Sequence, residues 1–112
     1  MKFMLLINEL PEVYNGLDDA ELQAISAEYI ALMSDERVIG GERLQPAETA
    51  TTLRVSDGER LLTDGPFAGT KEVLGGYYIL DVADLDTALD IAAKTPAARL
   101  GGVIEVRPLV ER

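Results

Sequence analysis

The sequence contains no histidine and no cysteine. Histidine is the usual general base near neutral pH and the commonest metal ligand, so its absence excludes Ser-His-Asp and Cys-His arrangements. Without cysteine there are no disulfides, thiolate nucleophiles or sulfur ligands for a metal, which suits a reducing compartment. The candidate proton acceptors that remain are carboxylates.

Basic residues are scarce, because 10 lysines and arginines stand against 20 aspartates and glutamates, giving a net charge of -10. A field of this sign repels nucleic acid phosphates and anionic lipid headgroups, so neither nucleic acid nor a membrane is an expected partner. Long apolar runs are missing as well. The apolar start, residues 1–7, is too short for a signal peptide and Glu9 follows it, so we expect a cytoplasmic protein.

The densest acidic cluster lacks the glycine and the terminal glutamate of a calcium loop. Its members are Asp81, Asp84, Asp86 and Asp90. Acids at the start of a helix are explained by capping and by the helix dipole. We therefore expect no metal and no cofactor.

The remaining pattern predicts one domain over residues 1–112. Strands are predicted at Lys2 to Asn8 and Gly75 to Val82, because apolar residues fill both alternating sets. A helix is predicted from Leu17 to Val38, with Asp18 and Glu21 as a capping box, and a second helix follows Asp84 and stops before Pro96.

Shorter strands are predicted between these elements and at the end of the chain, at Glu42 to Gln45, Thr51 to Val55, Arg60 to Thr63 and Val103 to Val106. Asp57-Gly58 is the sequence expected of a two-residue hairpin turn. Glycine pairs at 40–41, 75–76 and 101–102 are interpreted as turns or bulges at strand entries, since a phosphate loop would open a helix.

The order strand, helix, strand, hairpin, strand, helix, strand predicts an α+β fold of ferredoxin-like plan, an antiparallel sheet with two helices on one face. The other face would then be bare, although Lys2 to Asn8 and Gly75 to Val82 are apolar on both sides. An apolar face of this size marks an interface, and a second copy of the chain is its simplest cover. We therefore expect a homodimer with sheets packed face to face.

The segment from Thr63 to Tyr78 is the only one with concentrated chemical groups. It supplies two acids, a base and three aromatic rings: Asp64, Glu72, Lys71, Phe67, Tyr77 and Tyr78. A long connection in a small domain is often a binding loop, and these groups would suit a pocket with a few polar contacts. The alternative is structural, because Asp-Gly-Pro is also turn chemistry and Lys71 beside Glu72 is ordinary surface charge.

The same segment carries a family resemblance. Residues 64–67 read Asp-Gly-Pro-Phe, and Lys-Glu at 71–72 and Gly-Gly-Tyr-Tyr at 75–78 follow, which resembles the signature of the DGPF-type proteins of the YCII-related family. The opening strand (residues 1–7), the middle (residues 41–46) and the close (residues 103–108) resemble the family as well.

The resemblance implies a dimeric α+β barrel and little about function. Fold relatives include monooxygenases and muconolactone isomerases, and some family members look like neighbours or fused partners of extracytoplasmic-function sigma factors. A His-Asp pair has been proposed as the active site of the wider family. Asp64 would supply the acid here, but the chain has no histidine to partner it.

The sequence thus predicts a homodimeric module that binds a small molecule between the sheet and its helices or partner subunit. If it is an enzyme, Asp64 or Glu72 is the expected proton acceptor, and Lys71 or Arg99 would hold an anionic group. Tyr77 or Tyr78 would stack on the ligand or form a hydrogen bond with it. The alternative is a non-catalytic interaction module whose acidic surface docks on a sigma factor or another transcription regulator.

Overall fold

The computed structural model describes residues 1–67 and 69–111 of the chain. Six strands and four α-helices follow one another with a short 3₁₀ turn at Ala47–Thr49. The strands are β1 (Lys2–Glu9), β2 (Val38–Arg43), β3 (Thr51–Ser56), β4 (Glu59–Asp64), β5 (Val73–Asp81) and β6 (Val103–Pro108). The helices are α1 (Pro11–Asn15), α2 (Asp19–Leu32), α3 (Leu85–Ala93) and α4 (Pro96–Arg99).

Four strands form an antiparallel sheet in the order β2-β5-β1-β6, and β3 pairs with β4 in a separate two-stranded sheet. Strands β1 and β5 lie at the centre, so each β-α-β connection crosses over a neighbouring strand. The protein is therefore a mixed α+β structure with an antiparallel sheet, as the sequence predicts. Among the described residues, no helix is long and apolar enough to cross a membrane.

The hydrophobic core lies between one face of this sheet and the helices. Phe3, Leu5 and Ile7 alternate along β1 and are almost fully buried there. Ala88 and Ile91 of α3 close the other side of the core. Because side chains alternate across a strand, the next residue of the buried set in β1 is Glu9.

The start of α2 agrees with the sequence prediction. The Asp18 carboxylate accepts a hydrogen bond from the Glu21 amide at 2.8 Å, and the Glu21 carboxylate accepts one from the Asp18 amide at 3.4 Å. The predicted end at Val38 is wrong, since α2 ends at Leu32 and Val38 begins β2. Asp35 stops the helix, because its side chain accepts from the Arg37 amide at 2.9 Å and thereby holds a turn.

The predicted role of the glycine pairs is confirmed in part. Gly40-Gly41 lies inside β2 and Gly75-Gly76 lies inside β5, so neither pair is a turn at a strand entry, although Gly75 forms a β-bulge opposite β1. Gly101, with a φ of 84°, belongs to the turn that leads into β6. The hairpin prediction is confirmed: Asp57 and Gly58 have φ values of 51° and 78°, the left-handed conformation that this turn needs. The short helices α1 and α4 were not predicted.

Candidate functional site

A cavity of about 350 Å³ lies between α2 and the strands β1, β2 and β5. Its volume is within the range of small-molecule sites. The helix contributes Ser26, Tyr29, Ile30 and Met33, and the sheet contributes Ile7, Glu9, residues 41–43 and residues 75–78. The lining is mainly hydrophobic, with a polar end at Glu9 and Arg43.

Glycines shape the sheet side of this cavity. A Cβ atom at Gly41 would lie 2.6 Å from Cδ1 of Tyr78 and 2.7 Å from the Tyr77 carbonyl oxygen, so the Tyr78 ring requires glycine opposite it. A Cβ atom at Gly76 would lie 2.8 Å from the Glu42 carbonyl oxygen. Both glycines therefore let the backbone and the tyrosine pack where a side chain would collide.

The Glu9 carboxyl group is positioned by a β-bulge. Ile7 pairs with Gly76 but Asn8 pairs with Leu74, so Gly75 is the extra residue of β5. A Cβ atom at Gly75 would lie 2.5 Å from Cδ of Glu9, which shows that the carboxyl group rests directly on this glycine. Burial raises the pKa of Glu9, and the positive charge of Arg43 partly opposes the rise.

Two tyrosines join the cavity to the core through hydrogen bonds. The Tyr78 hydroxyl donates to the Tyr29 carbonyl oxygen at 2.7 Å, and the Tyr29 hydroxyl accepts from the Ala97 amide at 3.1 Å. Their ring centroids are 6.4 Å apart. Burial raises the pKa of Tyr78 to about 12 and raises the pKa of Tyr29 further, so both are neutral phenols near neutral pH.

A third tyrosine, Tyr14 of α1, has a buried hydroxyl without a hydrogen-bond partner among the described residues. The neighbouring Tyr29 hydroxyl accepts from the Ala97 amide, which leaves its own hydrogen uncommitted. Burial, followed by the negative charge of Glu9, raises the pKa of Tyr14, and the nearby Tyr29 hydroxyl opposes the rise. Tyr14 therefore carries a neutral hydroxyl that is fully enclosed by the protein.

A smaller cavity of about 290 Å³ adjoins the first and is more polar. The two cavities share Glu9, Ser26, Tyr29 and Arg43. The smaller one is completed by Tyr14, Asp19, Leu22, Gln23 and Ile25. A mainly hydrophobic cavity and a more polar one thus lie on either side of common wall residues, and Glu9 is one of them.

Arg43 is the cation of this site. Its Nη1 atom donates to the Ser26 hydroxyl at 3.4 Å. Within residues 1–67 and 69–111, no carboxylate oxygen lies within 4.0 Å of its guanidinium nitrogens. The same ranges hold no group of three or more side chains suited to a metal ion. The site can accordingly offer an acid, a free guanidinium and phenol hydroxyls.

The predicted acids and base lie outside this cavity. Asp64 ends β4 and is exposed, Lys71 is exposed, and Glu72 is partly exposed. Phe67 is 75% exposed and lies under the Arg54 guanidinium, 5.2 Å from the ring centroid. The structure of the chain therefore does not bring these residues to the cavity.

Two of the predicted residues do line it. Tyr78 lines the cavity with its side chain, and Tyr77 borders it with its backbone, because alternation along β5 places the Tyr77 ring on the sheet face opposite the helices. Arg99, which was expected to hold an anionic group, is instead paired with Glu28, whose two oxygens lie 2.8 and 2.5 Å from its guanidinium nitrogens. That pair joins α4 to α2 at the surface.

Glu9 and Arg43 were missed as site residues, although the sequence carries a signal for one of them. Phe3, Leu5 and Ile7 were recognised as one face of a strand, and Glu9 continues that set. A carboxyl group at the end of a buried alternating set is a candidate for desolvation. Arg43 had no comparable signal, because its side depends on the pairing of β2 with β5.

The fold and site define a small α+β domain with a ligand-sized cavity beneath its longest helix. The chain belongs to the YCII-related domain family, whose model matches residues 1–112, and this confirms the family resemblance. It is also similar to an uncharacterized protein of Rhizobium meliloti (strain 1021), with 53% identity over 68 residues. The aligned region covers 60% of this chain and 55% of that relative, so the chain matches only about half the relative's length.

Proposed function

We propose that this domain binds a compact, mainly hydrophobic small molecule in the cavity under α2. The observation that supports the proposal most directly is a ligand-sized hydrophobic cavity with the half-buried Glu9 carboxyl group at its polar end. Binding sites of this kind pair an apolar lining with a few polar groups that fix the orientation of the ligand.

If the bound molecule is also transformed, Glu9 is the proposed general acid or base. Burial raises its pKa, which moves the group toward the range useful for proton transfer. Asp64 and Glu72, the acids predicted from the sequence, remain the alternative. They would need a surface from another subunit to enclose them, because both lie away from the cavity of their own chain.

The proposed assembly is the homodimer of the ferredoxin-like, dimeric α+β barrel plan. Met4 and Leu6 of β1 and Tyr77 and Ile79 of β5 share the sheet face opposite the helices and are partly exposed, whereas the helix-facing set is buried. This apolar face supports packing of two sheets against each other. Light scattering at micromolar concentration tests it, and a monomer would contradict it.

Cavity binding is tested by a matched pair of variants. Ile30 is 69% exposed and lines the cavity, so Ile30→Trp should fill the cavity at little cost to folding. Leu89→Trp, on α3 and away from the cavity, is the control. The probe is 2-phenylethanol, followed by amide chemical shifts in two-dimensional NMR.

We expect 2-phenylethanol to shift the amides of Gly41, Gly75 and Gly76 in the wild type and in Leu89→Trp. The shifts should disappear in Ile30→Trp. Binding that survives in Ile30→Trp, or shifts confined to the β3–β4 hairpin, would contradict the proposed site.

The acid is tested separately with Glu9→Gln and Asp64→Asn. Each removes one carboxylate without changing the size of the side chain. A pH dependence of probe affinity that is lost in Glu9→Gln and kept in Asp64→Asn supports Glu9. The reverse result supports the acid in the loop.

A further inference from the structure

Arg43 is the cation that lines both cavities, and its side chain is exposed at their wall. It contacts the neutral hydroxyl of Ser26, and within the described ranges no carboxylate is in salt-bridge range of it. Arginine pairs readily with carboxylates, so a guanidinium without such a partner in a cavity wall can bind an anionic group of a ligand.

Tyr14 lines the polar cavity together with Arg43, but its hydroxyl oxygen is fully buried and offers no surface to a ligand there. The Arg43 guanidinium is accordingly the charged donor that a molecule in this cavity can reach.

We propose that the ligand is a hydrophobic monocarboxylic acid, whose carboxylate is held by the Arg43 guanidinium. This inference rests on the proposed function, because the hydrophobic part of the ligand occupies the cavity under α2. Arg43 lines that cavity as well as the polar one, so its guanidinium is within reach of a ligand bound under α2.

The Glu9 carboxyl group lies beside the proposed carboxylate position, and this has a consequence for protons. Two carboxyl groups in one partly buried site do not both ionise readily, so Glu9 takes up a proton from solvent when the acid binds. The groups that border Glu9 are Arg43 from β2, Tyr14 from α1 and Tyr29 from α2, and the exposed Asp19 borders the same cavity. Only Arg43 among them favours the ionised form of Glu9.

The test uses three probes of nearly equal size: phenylacetate, phenylacetamide and phenethylammonium. Each is titrated into the full chain near neutral pH, and amide chemical shifts give the affinity. We expect phenylacetate to bind at least about tenfold more tightly than the amide, and the ammonium ion to bind most weakly.

Arg43→Gln should remove the preference for the acid. Arg54→Gln, in the β3–β4 hairpin, is the matched control and should leave all three affinities unchanged. Calorimetry of phenylacetate binding in two buffers of different ionisation enthalpy should show proton uptake that Glu9→Gln abolishes.

The outcomes separate the two proposals. If the amide or the ammonium ion binds at the cavity as tightly as the acid, the carboxylate inference fails and the proposed cavity function stands. If Arg43→Gln keeps the preference for the acid, the assignment of Arg43 fails. If neither 2-phenylethanol nor any of the three probes shifts the amides of Gly41, Gly75 and Gly76, both proposals fail.

Discussion

The same substitution, tyrosine to phenylalanine, should have opposite effects on stability at neighbouring positions of this site. Tyr14→Phe removes a buried hydroxyl that has no partner among the described residues. Leaving such a group buried and unbonded costs about 1–3 kcal/mol, so its removal should raise the free energy of unfolding by about 1 kcal/mol. In a domain of this size, that corresponds to a rise in Tm of about 4 °C.

Tyr29→Phe and Tyr78→Phe make the same chemical change where the hydroxyl is bonded. Tyr29 accepts from the Ala97 amide, which lies in the first turn of α4 and has no intrahelical acceptor. Its loss should cost about 1–3 kcal/mol, since that buried amide is left unpaired. Tyr78→Phe loses a donor to the Tyr29 carbonyl oxygen and should cost about 1 kcal/mol.

Urea unfolding followed by circular dichroism measures all of these variants under one condition, with equal m-values expected because the exposed surface changes little. A Tyr14→Phe variant that loses as much stability as Tyr29→Phe would refute the reasoning. It would show that the Tyr14 hydroxyl forms a hydrogen bond in the folded protein.

Three further outcomes follow from the residues around the carboxyl group. The pKa of Glu9 is raised above the ordinary glutamate value of 4.5, so above that pH the folded protein binds more protons than the unfolded chain. The stability attributable to Glu9 therefore falls as pH rises. In urea unfolding, the free energy of unfolding of Glu9→Gln should exceed that of the wild type by more at about pH 7 than at about pH 4. Gly41→Ala should lower the free energy of unfolding by about 1–3 kcal/mol, because the added Cβ atom would collide with Tyr78. Gly69→Ala is the control: its Cβ atom would have no other atom within 4 Å, so its free energy of unfolding should stay within about 0.5 kcal/mol of the wild-type value. Gly75→Ala meets only the flexible end of Glu9, so it should cost less than about 1 kcal/mol. It should nevertheless displace the Glu9 carboxyl group and remove the proton uptake expected when phenylacetate binds.

Local chemistry explains which parts of the fold could be predicted from the sequence. The capping box at Asp18 and Glu21, the cap at Asp84 and the turn at Asp57-Gly58 each depend on atoms a few residues apart. The buried set along β1 depends only on alternation. These features need no knowledge of the rest of the molecule, and the structure confirms them.

The features that were predicted wrongly depend on contacts distant in sequence. The glycines of β2 looked like a break because glycine weakens a strand. In the structure Gly41 is needed inside the strand, since Tyr78 of β5 lies against it. The end of α2 was placed too late, at Val38, but Val38 begins β2 because it pairs with Leu80 of β5.

The segment from Thr63 to Tyr78 illustrates why the candidate site was only half found. Its first part closes the base of the β3–β4 hairpin, where Gly65 has a φ of 100°. The Gly65 amide donates to the Ala50 carbonyl oxygen at 2.7 Å, and the Gly65 carbonyl oxygen accepts from the Thr52 hydroxyl at 2.8 Å. Such bonds account for an Asp-Gly-Pro sequence by turn chemistry.

The last part of that segment has a different physical role. Gly75 and Gly76 form the floor of the cavity, and Gly75 is the bulge on which the Glu9 carboxyl group rests. A motif read as one unit in sequence thus divides between a hairpin base and a cavity floor. The acid at the cavity comes from β1, at the other end of the chain, because antiparallel pairing with β5 places Glu9 over the bulge.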